Sequence, residues 1–509
     1  MRFDDMPARL PLDRLTAPVR IGRAPPRAST LERHGAAMVL LPAAPAAAVW
    51  RALPHGAALA GLFAQKPRKA GDFLGLRVGA RFETLLIILV TDAGMSAFDL
   101  LQAAGRAARA ALEPGSPSLL LWEQGLGARF AGTALCAAVT ALQAAAFPLA
   151  TYKTGAAARA APPRIDLIAE SKPEGLDAAL AGAAGNNIAR WLTALPPNRL
   201  DAAAYRRCLQ DLARRIGLKY TFYGEQQLER LGAGAFLAVA RGNAARDAGI
   251  VRLSYRRRAG KPPDLCLVGK GIIFDTGGTN LKPHKSMLDM HTDMGGSAVA
   301  VGCLYALHAL RSRASVDCWL AITENRIGPT AYKPQDVVRA HNGSTIQVIH
   351  TDAEGRMALA DTLCLAAASR PRAIIDFATL TGACVGALTE RYSGAFTNRP
   401  GTRDVIEAAG AASGERVWCF PMDADFDTDL ESQVADVMQC AVEGKGDHIL
   451  AARFLMRFVP KEIPWLHVDL AAATRHGGLA HVGTDITGFG VRYALELLAR
   501  RWPDGARNA

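Results

Sequence analysis

The stretch "TIQVIHTDAEGRMALAD", residues 345–361, sets an apolar run ahead of three alternating charges and then a second apolar run. The β-branched residues of its first half favour a strand, and the Ala, Met and Leu that follow Gly355 favour a helix. A strand that ends in polar residues and feeds a helix is the repeating unit of an α/β layer. In such layers sites collect beyond the carboxyl ends of the strands. The charges Asp352, Glu354 and Arg356 can be read as an ordinary helix start, since acids suit the positive end of a helix dipole. They can also be half of a site, which requires partners elsewhere in the chain.

The same alternation recurs along the chain. "DLCLVGKGIIFD", "SVDCWLAITEN", "RAIIDFATLTG" and "WLHVDLA" are continuous apolar runs between helical stretches, the signature of a largely parallel sheet buried on both faces. Upstream, "AAMVLLP", "ETLLIILVTD" and "SLLLWEQ" alternate with Ala-rich segments such as "SAFDLLQAAGRAARAALE". The fold class expected is α/β in two domains. A smaller N-terminal α/β domain spans 36–165 and a helical connection spans 166–200. A larger domain over 201–509 has a central, mainly parallel or mixed sheet flanked by helices. A chain of 509 residues, half of them hydrophobic, has the length for two cores.

Residues 1–35 are rich in Arg and Pro and hold no long apolar run, so they read as a flexible arm rather than a secretory leader. Nine cysteines without a C-x-x-C pair fit neither a disulfide framework nor a thiolate zinc site, and the chain reads as cytoplasmic. "FAGTALCAAVTALQAAAFPLATY" (130–152) carries no charge, but it is mostly Ala and reads as a buried helix, with no membrane partner expected. The net charge of +12 permits contact with DNA, yet no basic stripe interleaved with aromatics supports it.

The chemistry concentrates in "VGKGIIFDTGGTNLKPHKSMLDMHTDMGGSAVAVG", residues 268–302. Lys270, Asp275, Lys282 and Asp293 stand there in a Gly-rich frame, but the G-x-x-x-x-G-K-[ST] order of a phosphate loop is absent. Joined with the opening stretch, they give four acids, Asp275, Asp293, Asp352 and Glu354, beside Lys270, Lys282 and Arg356. Four carboxylates at a buried sheet end repel one another unless cations sit among them, and two divalent metals are the economical solution. A two-metal phosphoesterase is disfavoured, because such sites lean on histidine ligands.

The spacing K-x4-D-x6-K-x10-D, followed by D-x-E-x-R, resembles the leucyl aminopeptidase family, whose signature N-T-D-A-E-G-R-L "HTDAEGRM" matches at six of eight positions. "LPPN", "KPQDVVRAHNGSTIQV", "ATLTGAC", "RVWCFPM", "SQVADV" and "WLHVDLAAA" extend the resemblance over about residues 190–500. It implies a homohexameric metallo-exopeptidase acting on peptides. One Zn²⁺ or Mn²⁺ ion is expected on Asp275, Asp352 and Glu354, and a second on Lys270, Asp275, Asp293 and Glu354. The resemblance further implies Lys282 as the electrophile facing the oxyanion and Arg356 as the holder of a bicarbonate acting as general base. The substrate's free α-amino group would bind the second metal, which restricts cutting to the N-terminus. Met290, Thr379, Gly382, Ala471 and Thr474 would line an apolar side-chain pocket that prefers hydrophobic residues. His350, Met357 and Thr276 depart from the family's usual Asn, Leu and Ser, and His350 is expected at the edge of the site, not on a metal.

Overall fold

The runs read as strands in the first third of the chain pair into one sheet. Its strands are β1 (Val19–Gly22), β2 (Ala36–Pro42), β3 (Phe73–Val78), β4 (Thr84–Thr91), β5 (Ser118–Glu123) and β6 (Arg164–Ile168). The computed structural model describes residues 9–79, 83–112, 117–154, 163–257 and 260–504. The order is β1-β6-β5-β2-β4-β3, parallel throughout except for β3 at one edge. The Ala-rich helices Ala97–Ala111 and Ala128–Ala146 cover one face, where Ala103, Ala107, Ala134 and Ala138 meet Met38, Leu40 and Leu119. Small side chains let helix and sheet approach closely, which explains why so much alanine is spent here. Among the described residues, Ala128–Ala146 is the one helix long and apolar enough to cross a membrane, and over half of it is buried in this core.

Residues 9–35 differ from the flexible arm expected for residues 1–35. Val19–Gly22 adds a parallel strand beside β6, and Leu10 and Leu15, each 2% exposed, pack into the core of the larger domain. Apolar residues scattered singly among Arg and Pro carry no periodic signal, so only pairing and docking reveal their place. Residues 1–8 of that stretch lie outside the described residues.

The larger domain is built on β7 (Lys219–Gly224), β8 (Gly249–Tyr255), β9 (Leu265–Asp275), β10 (Val316–Asn325), β13 (Ile374–Ala378), β14 (Ser393–Thr397), β15 (Val417–Cys419) and β17 (Trp465–Asp469). They form an eight-stranded mixed sheet ordered β15-β14-β17-β13-β9-β10-β8-β7. Its four central strands, β17, β13, β9 and β10, are parallel, as their continuous hydrophobicity implies. The stretch "TIQVIHTD" does not join them. Only Thr345–Gln347 is strand (β12), and it pairs with β11 (Val337–Arg339) and β16 (Val437–Met438) in a separate three-stranded sheet. The loop that follows β12 therefore approaches the end of β9 from outside the main sheet.

Between the domains, the helix Leu176–Thr193 packs along the helix Gly295–Ala309, with Gly185 and Gly302 facing each other. Asn187 Nδ2 donates to the carbonyls of Leu15 (2.8 Å) and Gln143 (3.3 Å), fastening this helix to the N-terminal domain. The Gly295–Ala309 helix also starts almost in contact with β9. A Cβ on Gly269 would lie 2.9 Å from the carbonyl oxygen of Gly296, so the close approach depends on glycine.

Candidate metal centre

Strand β9 carries Lys270 inside the sheet and Asp275 at its carboxyl end, both almost fully buried. Asp275 is held in place because its Oδ1 accepts from Gly277 N (2.8 Å) and from Asn325 Nδ2 (2.8 Å). Asn325, at the end of β10, also donates to the Thr351 carbonyl at 3.0 Å. Gly278 turns with φ +65°, and a Cβ there would meet Thr351 Oγ1 at 2.9 Å. That hydroxyl donates to the Gly277 carbonyl (2.6 Å) and accepts from Asn280 N (2.8 Å). The "DTGGTN" loop and the loop bearing Asp352 are thus knitted into one surface.

Asp293 arrives from the short 3-10 turn Met290–Met294 that precedes the Gly295–Ala309 helix. Thr379 Oγ1, just after β13, donates to Asp293 Oδ1 at 2.9 Å and fixes its rotamer. Glu354 opens the helix Glu354–Ala368, as the run after the charges in the opening stretch implies. Lys270 Nζ lies 2.8 Å from Asp293 Oδ1, 3.0 Å from Glu354 Oε1 and 2.9 Å from the Thr379 carbonyl. Lys282 Nζ lies 3.0 Å from Asp275 Oδ2 and also pairs with Asp352 Oδ1. All six charged residues named for the two metal sites and the electrophile therefore converge. Oxygens of Asp275, Asp293 and Glu354 lie within 4.8 Å of one another.

The electrostatics are those of a site short of positive charge. Burial pushes the Asp293 carboxyl up to about 6 despite the pull of Lys270, and burial with repulsion from Asp275 drives Glu354 well above its ordinary range. Asp352 is raised by the same two causes. Burial opposes the ammonium of Lys270, but Asp293, Glu354 and Asp275 outweigh it and hold the proton on. Among the described residues Asp293 Oδ2 and Glu354 Oε2 accept no hydrogen bond, and Lys270 meets Glu354 Oε1 off the direction of one. Orphaned buried carboxylate oxygens aimed at a common point fit divalent cations.

Two contributors escaped the sequence reading. Asn325, the orienter of Asp275, ends the apolar run "SVDCWLAITEN", where its position at a strand's carboxyl end was the available signal. Gln439 lies just past "SQVADV". Its Oε1 accepts from Ile349 N and His350 N (both 3.2 Å), and its Nε2 donates to the Ala353 carbonyl at 2.9 Å. His350 is exposed, with Nδ1 turned to Asp352 N at 3.3 Å. Arg356 is 1% exposed; its Nη1 donates to the Gln439 carbonyl (3.2 Å) and its Nη2 to both oxygens of Asp447, at 2.8 and 2.7 Å.

Of the five residues expected to line a side-chain pocket, Thr379 is tied to Asp293, and Met290 begins the same turn that carries Asp293. Gly382 starts the helix after β13, while Ala471 and Thr474 follow β17, the neighbour of β13 in the sheet. The Thr474 backbone is held by a bridge to Ile486. All five sit around the carboxyl ends of the central strands.

Residues 187–495 match the family model described as "Cytosol aminopeptidase family, catalytic domain". A probable cytosol aminopeptidase of Syntrophotalea carbinolica is 40% identical over 315 residues, 62% of this chain and 63% of the relative's length. One of Parasynechococcus marenigrum is 37% identical over 399 residues, 77% of this chain and 80% of its own. Among solved structures, the bottromycin maturation enzyme BotP in complex with Mn is similar at a TM-score of 0.77 and 30% identity, covering 91% of this chain and 98% of its own. A tomato leucine aminopeptidase mutant is similar at a TM-score of 0.81 and 26% identity, covering 95% and 96%. The chain belongs to the cytosol aminopeptidase family.

Proposed function

We propose that this chain is a dinuclear metallo-aminopeptidase that releases N-terminal, preferentially hydrophobic residues from peptides. The observation that carries this reading is the convergence of Asp275, Asp293 and Glu354 beside Lys270, with carboxylate oxygens left unbonded. Asp275, Asp352 and Glu354 would hold one ion, Zn²⁺ or Mn²⁺, and Lys270, Asp275, Asp293 and Glu354 the other. Two such ions, when bound, polarise the scissile carbonyl and activate a water. The donor set of carboxylates with one amine suits either metal.

The chain's own residues do the rest. Lys270 has to give up its proton to become a ligand, so metal binding releases protons. Lys282 keeps its proton: burial works against the charge, but Asp275 and Asp352 prevail. Its ammonium can therefore donate to the carbonyl oxygen as negative charge develops there. Thr379 and Asn325 hold Asp293 and Asp275 still, which fixes the geometry on which attack at the carbonyl carbon depends. Met290, Thr379, Gly382, Ala471 and Thr474 would receive the N-terminal side chain. A cytoplasmic setting, supported by the names of the relatives, and a homohexamer belong to the same reading.

The test is hydrolysis of hydrophobic amino-acid amides by protein loaded with Mn²⁺ or Zn²⁺, with activity abolished by a chelator and restored by the metal. If metal-loaded protein leaves all such amides uncut while retarding DNA in a low-salt gel, a DNA-binding scaffold takes the place of this reading.

A further inference from the structure

Arg356 takes its counter-ion, Asp447, from a segment outside the two stretches that carry the other charges of the site. Arg356 is 1% exposed, and both oxygens of Asp447 bond the same nitrogen, Nη2, at 2.8 and 2.7 Å. Nη1 is directed at the Gln439 carbonyl. A planar anion such as bicarbonate needs two adjacent guanidinium nitrogens. Neither pairing that includes Nη2 is open to it, and the Asp447 charge would repel it. Bicarbonate therefore does not fit the residues present on Arg356.

Asp447 is presented deliberately by the backbone. It opens the helix Asp447–Met456 directly after Gly446, which sits at φ 63° and ψ 21°, and Gly444 two residues earlier also has positive φ. Only glycine takes those conformations without strain, so the "GKGD" turn aims the carboxylate at Arg356. The side chain of Asp447 is 24% exposed against 2% for Arg356, so the carboxylate is the solvent-facing end of the pair. Arg356 stands in the first turn of the helix begun by Glu354, and the charges of Asp447 and Glu354 both act on it. The plain alternative is a helix-start acid that merely neutralises a buried arginine.

We propose that Asp447 is a resident carboxylate that fills the anion position on Arg356, excludes bicarbonate, and serves as the proton acceptor for the attacking water. This rests on the aminopeptidase reading. As the water oxygen bonds to the carbonyl carbon, its proton passes to an Asp447 oxygen. When the C–N bond breaks, the same proton passes to the departing amine nitrogen, leaving Asp447 ionised as it began.

The experiment compares wild type, Asp447→Ala and Asp447→Asn, all metal-loaded, in buffer stripped of carbon dioxide and in the same buffer with sodium bicarbonate. Binding of isotope-labelled bicarbonate is followed by NMR line broadening alongside the rates. Wild type is expected to bind no bicarbonate and to be indifferent to it. Asp447→Ala should lose on the order of 10²-fold in kcat, bind bicarbonate, and recover much of the rate when it is added. Asp447→Asn keeps the shape without the base, so it should lose rate and gain nothing from bicarbonate; it decides the matter if the alanine variant fails to fold. Bicarbonate binding or stimulation in wild type, an unrescued Asp447→Ala that is folded and metal-loaded, or a fully active Asp447→Asn would each overturn the proposal. A wild type that cleaves no amide overturns the aminopeptidase reading instead, and the binding comparison still decides whether Asp447 closes the anion position.

Discussion

Lys270 lies across the first turn of the Glu354–Ala368 helix so closely that a Cβ on Gly355 would sit 2.6 Å from its Cε and 2.7 Å from its Nζ. The glycine in "DAEGR" is therefore a space requirement of the lysine, which must reach Asp293 and Glu354 at once. Gly355→Ala is expected to displace Lys270 and weaken divalent-metal binding by about 5- to 150-fold, the range of a 1–3 kcal/mol overpacking cost. Calorimetric titration of Mn²⁺ into the variant checks this, and an unchanged affinity counts against the assigned role of Lys270.

Asn325 supports Asp275 from the next strand, with one amide group serving both the Asp275 carboxylate and the Thr351 carbonyl. Removing it in Asn325→Ala leaves that carbonyl to the Tyr332 hydroxyl alone and takes one of the two donors from Asp275 Oδ1. Loss of such an outer partner typically costs 10- to 100-fold in metal affinity or activity, and a deficit of about that size is expected here. Metal content after dialysis reads it directly; full retention would show that Gly277 N alone suffices.

Glu415 lies far from this chemistry, yet it sets a pH dependence of stability. Its Oε2 accepts from Gly490 N (2.8 Å) and Tyr493 N (2.9 Å), and burial pushes the carboxyl from 4.5 up to about 7. Between those values the folded chain binds the proton more tightly than the unfolded one. Stability from this group is therefore full below about pH 4.5 and falls as the pH rises toward 7, by on the order of 3 kcal/mol. Glu415→Gln removes the ionisation, so the variant should match wild type near pH 4.5 and exceed it in Tm near pH 8. Equal melting temperatures at the higher pH would contradict the assignment.

The sequence made the site legible because its residues cluster in two short stretches whose order is chemical, with acids interleaved with lysines where no phosphate could be welcome. The central strands were legible for a similar reason, since β9, β10, β13 and β17 are apolar without interruption. What escaped depends on contacts between distant segments. The three residues of β12 look like the start of a longer strand, but their partners are β11 and β16, and nothing local announces that. Val19–Gly22 becomes a strand only because β6 offers an open edge. Asp447 reads as an ordinary first-turn acid until Arg356 is found opposite it.

In the proposed site the acids hold metal while Lys282 acts on the substrate, and these roles separate in one comparison. Metal content and amide hydrolysis are to be measured for wild type, Glu354→Ala and Lys282→Ala. Glu354→Ala should lose both metal and activity, whereas Lys282→Ala should keep its metal and lose on the order of 10²–10³-fold in kcat. Full metal occupancy with undiminished turnover in Glu354→Ala, or a Lys282→Ala as fast as wild type, would contradict it.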